Sequence, residues 1–130
     1  MSTIQTTTVK ANTLLHSDGS TTTQPSIPAL DQRMAKAWVN FNGTGTVAIK
    51  SSYGVSSITD QATGKYRTNL SITLPNTNYA VVFTAQYSDA INFLTTQGMG
   101  ALTTTSFDTI HTENGVNYDV FGQHAVIFSL

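Results

Sequence analysis

"KAWVNFNGTGTVAIK", residues 36–50, decides how the rest of the chain is read. Its Gly43-Thr44-Gly45 centre allows two readings, a loop that cradles a phosphate or a turn between two strands. A phosphate loop needs a helix N-terminus behind it, so that free backbone N–H groups and the helix dipole converge on the anion. This loop has neither the third glycine of a dinucleotide fingerprint nor the Gly-Lys-Ser/Thr of a P-loop, and it runs into the strand-forming sequence Thr46-Val47-Ala48-Ile49. Apolar residues alternate on both sides of it. Residues 37–41 and 46–50 are therefore expected to be strands, joined through glycines that supply positive-φ positions.

The same period of two continues outward. Residues 55–60 and 65–72 form the next expected hairpin, with Tyr66, Thr68, Leu70 and Ile72 on one side and Lys65, Arg67, Asn69 and Ser71 on the other. Residues 79–87 are the most continuous apolar run and read as a central strand covered on both faces. Residues 88–100 read as a long loop or weak strand. Asn114-Gly115 marks a hairpin between 102–110 and 116–120, and the chain closes on an apolar strand at 124–130. Seven or eight short strands at intervals of about ten residues predict an all-β fold, an antiparallel β-sandwich of jelly-roll-like kind.

Upstream of Trp38 the pattern changes. Residues 1–28 are Thr-rich with sparse apolar positions, and they read as an extended N-terminal arm that needs a partner surface to stay ordered. Residues 29–36 contain the one run of good helix formers, with Leu30 and Met34 at helical spacing, and predict a short helix. At two or three turns such a helix needs packing, and a three-fold bundle of Leu30, Met34 and Trp38 at a subunit axis would provide it. Trp38 is accordingly assigned to the core or to a subunit contact. The organisation expected is an arm over 1–28 and a sandwich domain over 29–130.

Composition narrows the chemistry. The 130-residue chain is 39% hydrophobic, enough for one core, and only 10% charged, with Thr and Ser supplying about a quarter of its positions. Six basic against seven acidic residues, scattered singly, argue against nucleic acid, which needs clustered Lys and Arg. The absence of cysteine removes disulfides, thiolate ligands and a Cys nucleophile. No signal peptide or membrane span is read, so cytoplasmic synthesis without membrane insertion is expected. So weakly charged a surface also favours association over a lone monomer.

No catalytic, cofactor or metal set is expected. His16, His111 and His124 are far apart, and only His111 with Glu113 has strand spacing for two ligands, too few unless copies meet at a symmetry axis. Asp60, Asp89, Asp108 and Asp119 show no spacing that links an acid to a base, and no Gly-x-Ser-x-Gly occurs. Aromatic residues carry more. Tyr53, Tyr87 and Phe93 lie at or near loops, where rings stack on sugar faces while neighbours such as Asp89 bond to hydroxyls. Burial at a sheet edge or subunit interface is the competing reading for each.

The stretch "KAWVNFNGTGTVAIKSSYGVSSITDQATGKYRTNLSI", preceded by "QRMAKAW" and a Thr-rich N-terminus, closely resembles a segment of tail-fibre-like and other virion proteins of tailed phages, especially those of cyanobacteria and marine bacteria. The resemblance covers residues 30–84 and ends after Tyr87. It implies a non-enzymatic virion component made in the host cytoplasm, a homotrimer whose arm joins other virion proteins and whose sandwich contacts host lipopolysaccharide or another surface glycan. A capsid or neck decoration protein without a receptor role is the alternative. A glycan-degrading enzyme using Asp89 and Asp108 is a minor one.

Overall fold

A computed structural model describes residues 33–86 and 96–129, and the structural statements that follow concern these. In chain order the strands are β1 (Ala37–Asn42), β2 (Ala48–Tyr53), β3 (Val55–Ala62), β4 (Lys65–Leu70), β5 (Ala80–Gln86), β6 (Thr96–Leu102), β7 (Ser106–Glu113), β8 (Val116–Asn117) and β9 (Gly122–Phe128). They form two antiparallel sheets. The first has the order β2-β1-β9-β5 and the second β3-β4-β7-β6, with the short β8 beside the end of β7. Packed face to face they make an antiparallel β-sandwich, the fold the alternation predicts.

The opening stretch is a hairpin. Asn42 organises its turn: Nδ2 donates to the Thr44 and Thr46 carbonyls at 2.7 and 3.2 Å, while Oδ1 accepts from the Thr44 hydroxyl at 2.9 Å. Gly45 takes the positive φ of 62°. Gly43 is required for a different reason. A Cβ there would lie 2.6 Å from the Tyr66 hydroxyl oxygen and 2.8 Å from the Val120 carbonyl oxygen, so only glycine lets this turn close over the core. Its N–H donates to that same carbonyl at 3.0 Å.

Alternation builds the core directly. Ala37, Val39 and Phe41 of β1, Tyr66 and Leu70 of β4, Phe107 of β7, and Ala125 and Ile127 of β9 all face inward and are buried. Phe41 meets Tyr66 edge-on across the two sheets, with ring centroids 5.3 Å apart. The Tyr66 hydroxyl lies 2.9 Å from the Gly43 carbonyl and 3.1 Å from Asp119 Oδ1, and it accepts from Val120 N–H at 3.2 Å. Asp119 Oδ1 also accepts from Gly64 N–H at 2.8 Å. The phenol and Asp119 together tie the β1–β2 turn to the β3–β4 turn and to the segment entering β9. Burial is the main reason its pKa is pushed above the usual tyrosine range.

A polar group also bridges the sheets. Gln123 of β9 accepts at Oε1 from the Thr109 hydroxyl at 3.0 Å and stands 2.7 Å from His111 Nε2, all three residues being fully buried. At the far edge, the Gln97 carboxamide, turned so that its nitrogen meets Phe83 O at 3.1 Å and its oxygen meets Ala85 N at 3.0 Å, closes the backbone of β5. A side chain of the second sheet thus blocks the open edge of the first.

Several expectations change, the single strand over 102–110 among them: Leu102 ends β6 and Ser106 begins β7. No helix occurs among the described residues: 33–36 form turn and bend, and 29–32 lie outside them. Lys36 N–H already donates to Ile127 O at 2.8 Å, so the chain is committed to sheet pairing before β1 begins. The apolar run expected to be central is β5, an edge strand whose exposure alternates, with Val82 63% exposed. Ile72 lies past the end of β4 and is exposed, because the strand stops at Leu70.

Candidate functional site

The outer faces of the two sheets differ in chemistry. On the second sheet, Arg67 of β4 and Asp108 of β7 are cross-strand partners joined by two bonds, Nε to Oδ1 at 2.7 Å and Nη2 to Oδ2 at 2.9 Å. Arg67's hydrogen bonds hold the Asp108 carboxyl below the usual range. Beside them Asn69 Nδ2 donates to the Ser57 and Thr59 hydroxyls, both at 3.0 Å. This face is polar and pairs with itself.

The first sheet is different. In β1 the buried Ala37, Val39 and Phe41 alternate with Trp38 and Asn40, which therefore point outward. Trp38 is opposite Tyr53 of β2 on one side and Val126 of β9 on the other, and Val126 is opposite Val82 of β5. A row Tyr53–Trp38–Val126–Val82 thus crosses all four strands. Tyr53, Trp38 and Val82 are 50%, 38% and 63% exposed. The next row along the strands reads Ser51–Asn40–His124–Thr84 by the same register. Neither row contains an Asp, Glu, Lys or Arg.

Two details shape the polar row. Asn40 Oδ1 is shielded from solvent and has no hydrogen-bond partner, an uncommon state for a carboxamide oxygen. Gly122, on the same outward phase as His124, has no side chain, and a Cβ there would lie 3.5 Å from Gln86 Oε1 and 3.9 Å from His124 Nε2. The Gln86 side chain lies close over Gly122, which is buried.

Of the glycan contacts expected from the sequence, Tyr53 stands on this face, while Tyr87, Asp89 and Phe93 lie outside the described residues. Among the expected trimer or core contacts, Leu30 lies outside them and Met34 is exposed. Trp38 is not part of the core cluster, and projects from the outer face. Asn40, His124, Val82 and Val126 were missed. Asn40 had a legible signal: Trp38 shares its phase with Asn40 and Asn42, so burying Trp38 would have buried two carboxamides with it.

His111, the best-spaced metal candidate, points into the core toward Gln123, with its ring 5.9 Å from Tyr66 and 6.1 Å from Phe83. Among the described residues no three His, Asp or Glu side chains gather into a metal-binding group. Asp108 is occupied by Arg67, and its proposed carboxylate partner Asp89 is outside the described residues. Comparison with protein-family models, curated proteins and solved structures found no match.

Proposed function

We propose that the chain is a non-catalytic component of a tailed-phage virion, a small tail-fibre or receptor-binding module that works as a homotrimer and touches the host surface. Residues 1–28 join it to other virion proteins, and the outer face of the first sheet makes the host contact. The observation that carries this reading is the uncharged row Tyr53–Trp38–Val126–Val82, with three of its side chains more than a third exposed. Leaving such a row in water forgoes about 25 cal/mol for each Å² that a partner would cover. The second sheet's self-paired face has no such incentive. The resemblance of residues 30–84 to phage virion proteins supplies the setting.

Light scattering on the full chain tests the assembly, and adhesion to a panel of cyanobacterial and marine bacterial cells tests the contact. A trimer that adheres, and that stops adhering when Val82→Lys places a charge in the row, is the expected result. A monomer that binds no cells would overturn the reading. Adhesion unaffected by Val82→Lys would move the contact to another surface.

A further inference from the structure

We propose that this face is a binding site for an uncharged sugar ring, stacked by its C–H face on Trp38 and Tyr53 and hydrogen-bonded through its hydroxyl edge to Asn40, Ser51 and His124. The proposal rests on the attachment reading above and gives its contact face a ligand. Register supplies the platform. Trp38 and Tyr53 are direct cross-strand partners, so their Cβ atoms stand about 5 Å apart and both rings, each more than a third exposed, project from the same face. The electron-rich faces of such rings attract the weakly positive C–H bonds of a pyranose.

The neighbouring row matches the rest of a sugar. It lies two residues along the strands, about 7 Å away, within reach of a hydroxyl on a ring stacked over Trp38 through a single ~2.8 Å hydrogen bond. Ser51 and His124 can donate or accept and Asn40 offers both functions, which is what hydroxyl groups, themselves donors and acceptors, require. Asn40 Oδ1 is the sharpest pointer. It is already withdrawn from water and bonded to nothing within the chain, and a rotation of the carboxamide presents it to a ligand O–H. The two rows hold no Asp, Glu, Lys or Arg to pair with a charged ligand.

The apolar row is small for a protein occupant, whose standard interface is a little over half apolar. From their exposures, the four apolar side chains offer on the order of 300 Å². A standard protein interface buries roughly 800 Å² from each partner. A row of this width bounded by polar groups suits one or two sugar rings.

Trp38 is the chain's one tryptophan, so its fluorescence reports on the site directly. The experiment titrates the full chain with methyl β-galactopyranoside, methyl β-glucopyranoside and glucuronate. A saturable blue shift with at least one neutral glycoside is expected, half-complete in the millimolar range and about tenfold tighter than with glucuronate. Tyr53→Ala and Asn40→Ala should each raise the half-saturation concentration by about tenfold. Circular dichroism of Tyr53→Ala, a half-exposed ring on an edge strand, should match the parent. Ser51→Ala replaces Asn40→Ala should the latter fail to fold. No saturable change with either neutral glycoside, a preference for glucuronate, or indifference to Tyr53→Ala overturns the proposal. In the first case the cell assay separates the two readings: adhesion still abolished by Val82→Lys keeps the contact face and removes the sugar, whereas no adhesion at all removes both.

Discussion

Acidification should loosen this sandwich from the inside, through His111. Its Nε2 faces Gln123 Oε1 at 2.7 Å, and that oxygen also accepts from Thr109, so it acts as acceptor and Nε2 carries the proton. Nδ1 is then the unprotonated nitrogen, buried and without a partner. A second proton would place both a charge and an unanswered donor between the sheets, next to Tyr66 and Phe83. Burial therefore lowers the pKa of His111 in the fold, and the Gln123 bond only partly offsets it. The sign follows. The unfolded chain takes up the proton near its ordinary value of about 6.5, while the folded chain resists until a lower pH. Above that ordinary value the stability is fully present. Below it, stability falls by as much as about 1.4 kcal/mol per pH unit until the folded-state pKa is reached. Against the 5–15 kcal/mol typical of a domain, one unit is a measurable fraction. Urea unfolding from pH 8 to 5, followed by far-UV circular dichroism, should show the decline. The decline should be steeper in the parent than in His111→Leu, and the difference between the two curves is the His111 contribution. Parallel stability curves for the two proteins would refute the argument.

Asp108 should act in a separate, more acidic window. Its carboxyl is held down by Arg67, so its stabilisation is present above the ordinary carboxylate value of about 3.9 and is lost as pH falls through the lower folded-state value. Asp108→Asn should flatten the acid limb below pH 4 and leave the His111 region unchanged, as read from the same urea curves. Gly43→Ala must displace either the Tyr66 ring or the Val120 backbone, and a cost of about 1–3 kcal/mol is expected in thermal or urea unfolding. Wild-type stability in that variant would mean that the turn relaxes freely. Tyr66→Phe keeps the ring but leaves Val120 N–H without its acceptor, for a loss of about 1–3 kcal/mol. Combined with Gly43→Ala it should cost less than the sum of the two, because both act on the same hydroxyl.

Much of the fold was legible because period-two alternation survives wherever one face of a strand is wet. The strands around Gly43-Thr44-Gly45, the 65–70 strand and the Asn114-Gly115 turn all fall where turn chemistry and alternation agree. The reading of β5 failed for a physical reason. "AVVFTAQ" is apolar at Val82 as well as at Val81 and Phe83, so its alternation is hidden, and a run that implied two covered faces belongs to an edge strand with one apolar face open. The helix at 29–36 was read from propensity alone, and in its described part the pairing of Lys36 with Ile127 prevails over that weak preference.

The site was legible by residue and not by place. Tyr53 and Trp38 are eye-catching in the sequence, but what makes them neighbours is the β1–β2 register, which includes a shift at Asn40/Phe41 that alternation alone does not encode. Before that shift, Trp38 opposes Tyr53 and Asn40 opposes Ser51. After it, Phe41 opposes Ile49, and Lys50 becomes the extra residue of β2. Were Lys50 paired within the ladder instead of bulged out of it, every β2 partner on one side of the shift would move by one position, exchanging the inward and outward sets there. Lys50 instead leans away, its Nζ 5.0 Å from the centre of the Phe121 ring. The bulge therefore keeps Tyr53 beside Trp38 and Ser51 beside Asn40, so that the apolar and polar rows run in step across both strands. Deleting Lys50 should therefore leave Tyr53 opposite Trp38 and Ser51 opposite Asn40 in a now regular ladder and retain any Trp38 response to neutral glycosides, and loss of that response in a chain that still folds would refute this account of the register.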